Sequence, residues 1–407
     1  MTEKLMNFFG INRAVLALSV ARLADALGNS LLFIIIPLYI AKLPKDYFHF
    51  PLPIMVGILI SIYGFVVAFL QPIMGALSDH LGRRKILIQF GLGMIALCTL
   101  AFTLATKYLD LLFLRTLQGV AVAITIPAAM SLMAAITKKE TRGGAMGVYS
   151  TFRMMGFVAG PLLGGFILDH FGFNAAFYTG SGFILLAMLL VQIWVDDVRI
   201  IFKDNKRPKT KIIDKELLSP GILSAGAATF LMASAFSMVT TLENEFNSKL
   251  GISAFGFGFA FSMLMVGRLL LQVPLGRLSD FIGRKPLIIG GLILMAPATI
   301  LLGDVASLTQ FVLVRLGQGV AAAAIAAPAF AIAADLSVKG AEGRQMSVIT
   351  MGFGLGIATG PLIAGLLAVI FFDLPFLAVG ILNLVGAGVV YYFMPETVQG
   401  EKVIFKK

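Results

Sequence analysis

The chain has 407 residues, of which 58% are hydrophobic and only 13% charged, with a mean hydropathy of +0.94. Soluble domains carry about 25% charged residues, so the composition excludes a water-soluble fold and assigns the chain to the integral membrane proteins. The net charge of +11 raises nucleic acid as a partner, but the placement of the charges given below removes it.

A bilayer core of ~30 Å needs ~20 apolar residues of helix. Twelve runs meet or approach this: 14–41, 53–77, 86–106, 109–137, 143–168, 174–195, 219–243, 254–276, 286–303, 307–334, 345–371 and 374–394. Barrel strands would be ~10 residues long and alternating. These runs are longer and do not alternate, so the expected fold class is all-α integral membrane, with twelve transmembrane helices. The opening M-T-E-K-L-M-N-F-F-G lacks a cleavage site after a short apolar core, so the first run is expected to be a span, not a signal peptide. The hydrophilic stretch 196–218 divides the spans six and six. It is expected to be a cytoplasmic linker between an N-terminal half, 1–195, and a C-terminal half, 219–407.

Lysine and arginine set the orientation. With the N-terminus inside, 23 of the 32 fall in inside segments, 4 outside and 5 within spans. Both termini are therefore expected to be cytoplasmic. The positive charge faces anionic lipid headgroups and needs no nucleic acid.

The halves repeat. G-A-L-S-D-H-L-G-R-R-K at Gly75–Lys85 recurs as G-R-L-S-D-F-I-G-R-K at Gly276–Lys285, so that Gly75, Asp79 and Arg83 match Gly276, Asp280 and Arg284. Arg115-x-x-Gln118-Gly119-Val120 recurs at Arg315-x-x-Gln318-Gly319-Val320. Gly156, Gly160, Pro161 and Gly165 recur as Gly356, Gly360, Pro361 and Gly365. Three motifs in one order at an offset of 200 or 201 indicate two parallel six-helix repeats, a transporter architecture with its site between the halves near mid-membrane.

These motifs, over essentially the whole length, resemble the major facilitator superfamily in its twelve-span form. Gly75–Lys85 is similar to that family's loop motif, and Arg115-x-x-Gln118-Gly119 to its span-four motif. Gly156-x-x-x-Gly160-Pro161-x-x-Gly164-Gly165 resembles the span-five signature of drug/proton antiporters. The resemblance implies a fold-wide rocking mechanism driven by a proton gradient, without ATP. It also implies that Gly75, Asp79 and Arg83 form a conformational latch against span eleven; Glu140, at the cytoplasmic end of span four, is placed to pair with Arg83. Gly276, Asp280 and Arg284 are the corresponding set. Basic residues in such a loop also set topology, the only role expected of Arg84 and Lys85.

Ionisable side chains inside spans are costly and mark function. Arg22 and Asp25 share a face of span one, and Asp25 lies near mid-membrane. Asp25-Ala26-Leu27-Gly28 resembles the span-one acid of tetracycline/proton antiporters. Two readings stay open for it: a proton carrier tuned by Arg115, or a static pair with Arg22 or Arg115. Arg22, Arg153, Arg268 and Arg315 are candidates for the substrate cavity. Five in-span arginines against one mid-depth acid point to an anionic, zwitterionic or neutral amphipathic cargo. Glu243 and Glu245 are expected at headgroup level. Gly156, Gly160 and Gly164 recur every four residues, a stripe for close helix packing, with Pro161 as a kink; this stripe is expected to seal the two halves.

No G-x-x-x-x-G-K-[S/T] loop is present. His49, His80 and His170 have neither metal-ligand nor triad spacing. The expectation is therefore no enzyme, no cofactor and no metal. Instead, a transporter is expected, monomeric in the inner membrane, with a small molecule, protons and the lipid bilayer as partners: an efflux antiporter, or an organic-anion uniporter, symporter or lipid-linked substrate flippase of the same fold.

Overall fold

The computed structural model describes residues 13–44, 50–81, 83–137, 141–196, 219–336 and 342–398. Among them every regular element is helical. In chain order these are α1 (Arg13–Ile40), α2 (Leu52–Leu81), α3 (Arg84–Ala101), α4 (Tyr108–Ile136), α5 (Arg142–Trp194), α6 (Pro220–Ser237), α7 (Glu243–Leu250), α8 (Ala254–Ile282), α9 (Arg284–Ile300), α10 (Leu308–Asp335), α11 (Glu342–Ala368) and α12 (Leu374–Phe393).

Helices and expected spans correspond with two departures. The 53 residues of α5 contain spans five and six, divided at Gly172, whose φ of 79° and ψ of −179° are non-helical. That region of backbone space belongs to glycine alone, so one residue breaks the run into two arms of spanning length. Span seven is α6, a five-residue 3₁₀ stretch at Met238–Leu242, and then α7. Ten helical stretches have the length and hydropathy of a span; α5 is double, and α9 falls just short at 17 residues, which accounts for the expected twelve.

Local chemistry sets the helix starts. The Ser219 hydroxyl accepts from the Ile222 N–H and Pro220 follows it at the first position, while the Ser307 hydroxyl accepts from the Gln310 N–H. The Asp110 carboxylate accepts from the Thr106 and Lys107 N–H groups, each at 2.9 Å, ahead of α4.

The chain divides into two compact units. The first holds residues 1–50, 62–212 and 252–262, and the second 51–61, 213–251 and 263–407. They differ from the sequence halves by an exchange of two short segments at the starts of α2 and α8. Close backbone packing explains the exchange. Within the first unit, Gly258 lies against the Pro161 carbonyl, and the Phe255 N–H donates to Asp169 at 3.0 Å. Within the second, Gly57 lies against the Pro361 carbonyl and Gly365 against that of Pro53.

Inside the first unit, α1 packs along the first arm of α5. A Cβ at Gly156 would stand 2.5 Å from that of Ala26 and 2.8 Å from the Leu23 carbonyl oxygen, and one at Gly160 would overlap the Ser30 hydroxyl. Gly164 meets Leu31. The glycine stripe therefore faces α1, and only Gly165, on another face, meets Ala254. The predicted linker beyond Asp196, the side chain of Asp79, and Glu140 lie outside the described residues.

Candidate functional site

Asp25 lies twelve residues into α1, roughly 18 Å along the helix at ~1.5 Å per residue, and is 4% exposed. Arg22, one turn earlier, donates from Nη1 to Asp25 Oδ2 in an ion pair. Asn29, one turn later, donates from Nδ2 to Asp25 Oδ1 at 2.6 Å and to the Asp25 carbonyl at 3.0 Å. Three side chains at i, i+3 and i+7 thus form one ladder along a helix face. The Arg22 guanidinium lies 5.9 Å from the centre of the Tyr149 ring on α5. Tyr63 on α2, Tyr149 and Arg153 are all within electrostatic reach of Asp25.

Arg115 does not pair with the acid. Its Nη1 donates to Gln118 Oε1 at 3.1 Å, Gln118 Nε2 donates to Thr99 Oγ1 at 3.0 Å, and Thr99 donates to the Ile95 carbonyl at 2.8 Å. The second unit repeats this chain: Arg315 to Gln318 at 2.8 Å, Gln318 to Thr299 at 3.1 Å, Thr299 to the Met295 carbonyl at 2.7 Å. Each staples α4 to α3 or α10 to α9. Arg315 also donates to the Phe236 carbonyl on α6 at 3.3 Å and is 0% exposed, so it sits inside helix packing where a cavity role was expected. The Arg115 guanidinium lies 5.3 Å from the centre of the Tyr63 ring, and Tyr63 is itself within electrostatic reach of the acid.

The Asp25 ladder is not repeated. Ser30 donates to the Gly156 carbonyl at 3.1 Å and Ser237 to that of Gly356 at 3.3 Å, which aligns α1 with α6. Counting back from that register, Thr229 and Met232 occupy the places of Arg22 and Asp25. The Thr229 hydroxyl contacts the Gly226 and Ile349 carbonyls, so the corresponding place is a neutral helix contact.

The α8–α9 turn carries the expected charged set and more. Arg284 Nη1 binds Asp280 at 2.5 Å, its Nε binds Asp335 at 2.9 Å, and Glu396 accepts from the Arg284 and Lys285 N–H groups at 3.0 Å each. The Thr397 hydroxyl donates to Asp335 at 2.7 Å. At the α2–α3 turn the correspondence shifts by one residue. Arg84, like Arg284, begins a helix, is buried, and donates to the Ser131 carbonyl at 2.9 Å, while Arg83 is exposed. Arg84 thus has a packing role beyond topology.

Glu243 is 0% exposed at the start of α7, a burial that the count along span seven does not reveal. Pattern reading also missed Asn29, Tyr63 and Tyr149. Asn29 was visible four residues after Asp25; the tyrosines come from other helices and have no local signal.

The Major Facilitator Superfamily profile matches residues 18–242 and again 222–406. The chain belongs to that superfamily. It is 30% identical over 315 residues to the uncharacterized MFS-type transporter YuxJ of Bacillus subtilis, covering 75% of this chain and 79% of the relative. It is 28% identical over 338 residues to the multidrug resistance protein MdtG of Salmonella typhi, covering 82% and 83%. Among solved structures it resembles a bacterial homologue of the human lysosomal transporter Spinster (TM-score 0.76, 16% identity, 93% of this chain and 95% of that one). It also resembles a peptide transporter, POT, in complex with sulfate (0.78, 12%, 93% of each). This major facilitator is a multi-pass membrane transporter, not an enzyme.

Proposed function

We propose that this transporter is an antiporter that exports small amphipathic molecules in exchange for protons by alternating access, driven by the proton gradient and not by ATP. The observation that carries the reading is the Arg22–Asp25–Asn29 ladder around the buried Asp25, present on α1 and replaced by neutral residues on α6. The similarity to MdtG supports efflux as the direction. An arginine does not shed its proton in a protein, so the carboxylate of Asp25 is the group that changes charge. With Asp25 ionised, Arg22 holds it. A proton on Asp25 removes the ion pair, and the Tyr149 ring face offers the guanidinium a cation–π alternative. Asn29 keeps the carboxyl oriented in both states.

The motif at Gly75, Asp79 and Arg83 with Glu140, and its copy at Gly276, Asp280 and Arg284, serve as state-dependent latches on the side that the lysines and arginines mark as cytoplasmic. The network of Arg284 with Asp280, Asp335 and Glu396 supports this for the second copy. A second reading, organic-anion uniport or symport, is favoured by Arg268, which no acid accompanies among the described residues.

The test is the internal pH of acid-loaded inside-out vesicles on addition of candidate cargo. Antiport predicts proton efflux with the wild type and none with Asp25→Asn. Cargo uptake with no pH change, or with proton entry, contradicts it in favour of the second reading.

A further inference from the structure

Arg268 differs from the other buried arginines. It is 8% exposed, well inside α8, and its Nε is buried without a hydrogen-bond partner, as the Nε atoms of Arg22 and Arg115 also are. Among the described residues no hydrogen bond or ion pair reaches it; its guanidinium lies 5.3 Å from the centre of the Phe353 ring on α11. By contrast, Arg22 has Asp25, Arg84 has the Ser131 carbonyl, Arg115 has Gln118, and Arg315 has Gln318 and the Phe236 carbonyl. A desolvated guanidinium with only a ring face for company is costly. It is also no inherited staple. The repeat offsets place Val67 at the position of Arg268, and Phe353 at that of Arg153.

One turn along the same face, Gln272 has a buried amide oxygen, also without a partner. Phe236 on α6 lies beside Phe353, ring centres 5.9 Å apart. All four residues belong to the second unit. A guanidinium offers two parallel N–H donors that match a carboxylate. An unmatched amide oxygen accepts from an N–H or O–H, and two phenylalanine rings face an apolar body.

We infer that Arg268, Phe353 and Phe236 form the recognition site for the acid group of an amphipathic organic monoanion with an aromatic or apolar body, and that Gln272 Oε1 accepts from an N–H or O–H donor carried on that body. The assignment rests on the transporter reading above and names its cargo class. It does not require proton coupling.

The test is thermal shift of the purified full-length protein in detergent with three matched probes: 1-naphthaleneacetate, its uncharged amide 1-naphthaleneacetamide, and the cation 2-(1-naphthyl)ethylamine. The acid is expected to raise the melting temperature of the wild type, with little effect from the amide or amine. Arg268→Gln is expected to weaken the acid's apparent affinity at least tenfold, and Arg268→Lys to keep part of it. If Arg268→Gln shows no cooperative melt, the Lys variant and Phe353→Leu carry the test, each weakening the acid. A larger shift with the amine, an acid shift unchanged by these variants, or no acid shift in the wild type overturns the assignment. Acid binding with vesicle uptake that ignores the pH gradient leaves Arg268 in place and removes antiport. Proton-coupled uptake of cationic probes alone does the reverse.

Discussion

Arg22 and Asp25 hold each other in a place that little water reaches, Asp25 buried and Arg22 nearly so. Removing one partner of such a pair costs about 3–5 kcal/mol, because the other charge is left buried and uncompensated, while removing both costs less. Arg22→Ala is therefore expected to lower the melting temperature more than the double variant Arg22→Ala/Asp25→Ala. A double variant as damaged as the single one would show that Asp25 has another counterion in the fold. The two arginines of the α2–α3 turn separate in the same way. Arg84 is buried on the Ser131 carbonyl and Arg83 is exposed. Arg84→Ala is expected to cost about 1.5–3 kcal/mol, the range for a hydrogen bond to a charged group, and Arg83→Ala much less. Thermal denaturation of the two variants side by side checks the order. Neither distinction was legible from G-R-R-K alone, because burial is decided by where the helix starts, and that shifts the repeat register by one residue.

At the scale of elements, the glycine stripe brings α5 to the helix that carries the site. Ser30 donates to the Gly156 carbonyl, and Gly160 leaves room for that same hydroxyl and for the Leu27 carbonyl oxygen. A methyl at Gly160 must push α1 away. Overpacking of this kind costs about 1–3 kcal/mol. Gly160→Ala is expected to lower the melting temperature and transport together, whereas Gly147→Ala, which meets nothing within 4 Å, is expected to be neutral. Equal behaviour of the two would remove the packing role. The small-xxx-small spacing was readable in the sequence, but its partner was not: glycines at i, i+4 and i+8 announce a close contact without saying with which helix. The merging of spans five and six was hidden for a related reason. Gly172 is one glycine among many in the chain, and only its φ of 79° distinguishes it.

For the whole molecule, the duplicated strings announced the fold, since each repeat marks a helix end or a packing stripe that composition alone can place. The staple Arg115–Gln118–Thr99 and its copy Arg315–Gln318–Thr299 are that duplication carried into hydrogen bonds. Function is proposed to lie where the copies diverge: Asp25 against Met232, Arg22 against Thr229, Arg268 against Val67. The acid was legible because a carboxylate in an apolar run stands out; its aromatic surroundings were not, because Tyr63 and Tyr149 arrive from helices far along the chain. The burial of Glu243 was missed because counting residues along span seven takes no account of the 3₁₀ stretch or of what packs around it. The account makes Asp25 the coupling group and not the binding group. In proteoliposomes, Asp25→Asn is then expected to keep cargo counterflow at equal pH on both sides while losing accumulation driven by a pH gradient at least tenfold. Gradient-driven accumulation that survives Asp25→Asn would contradict it.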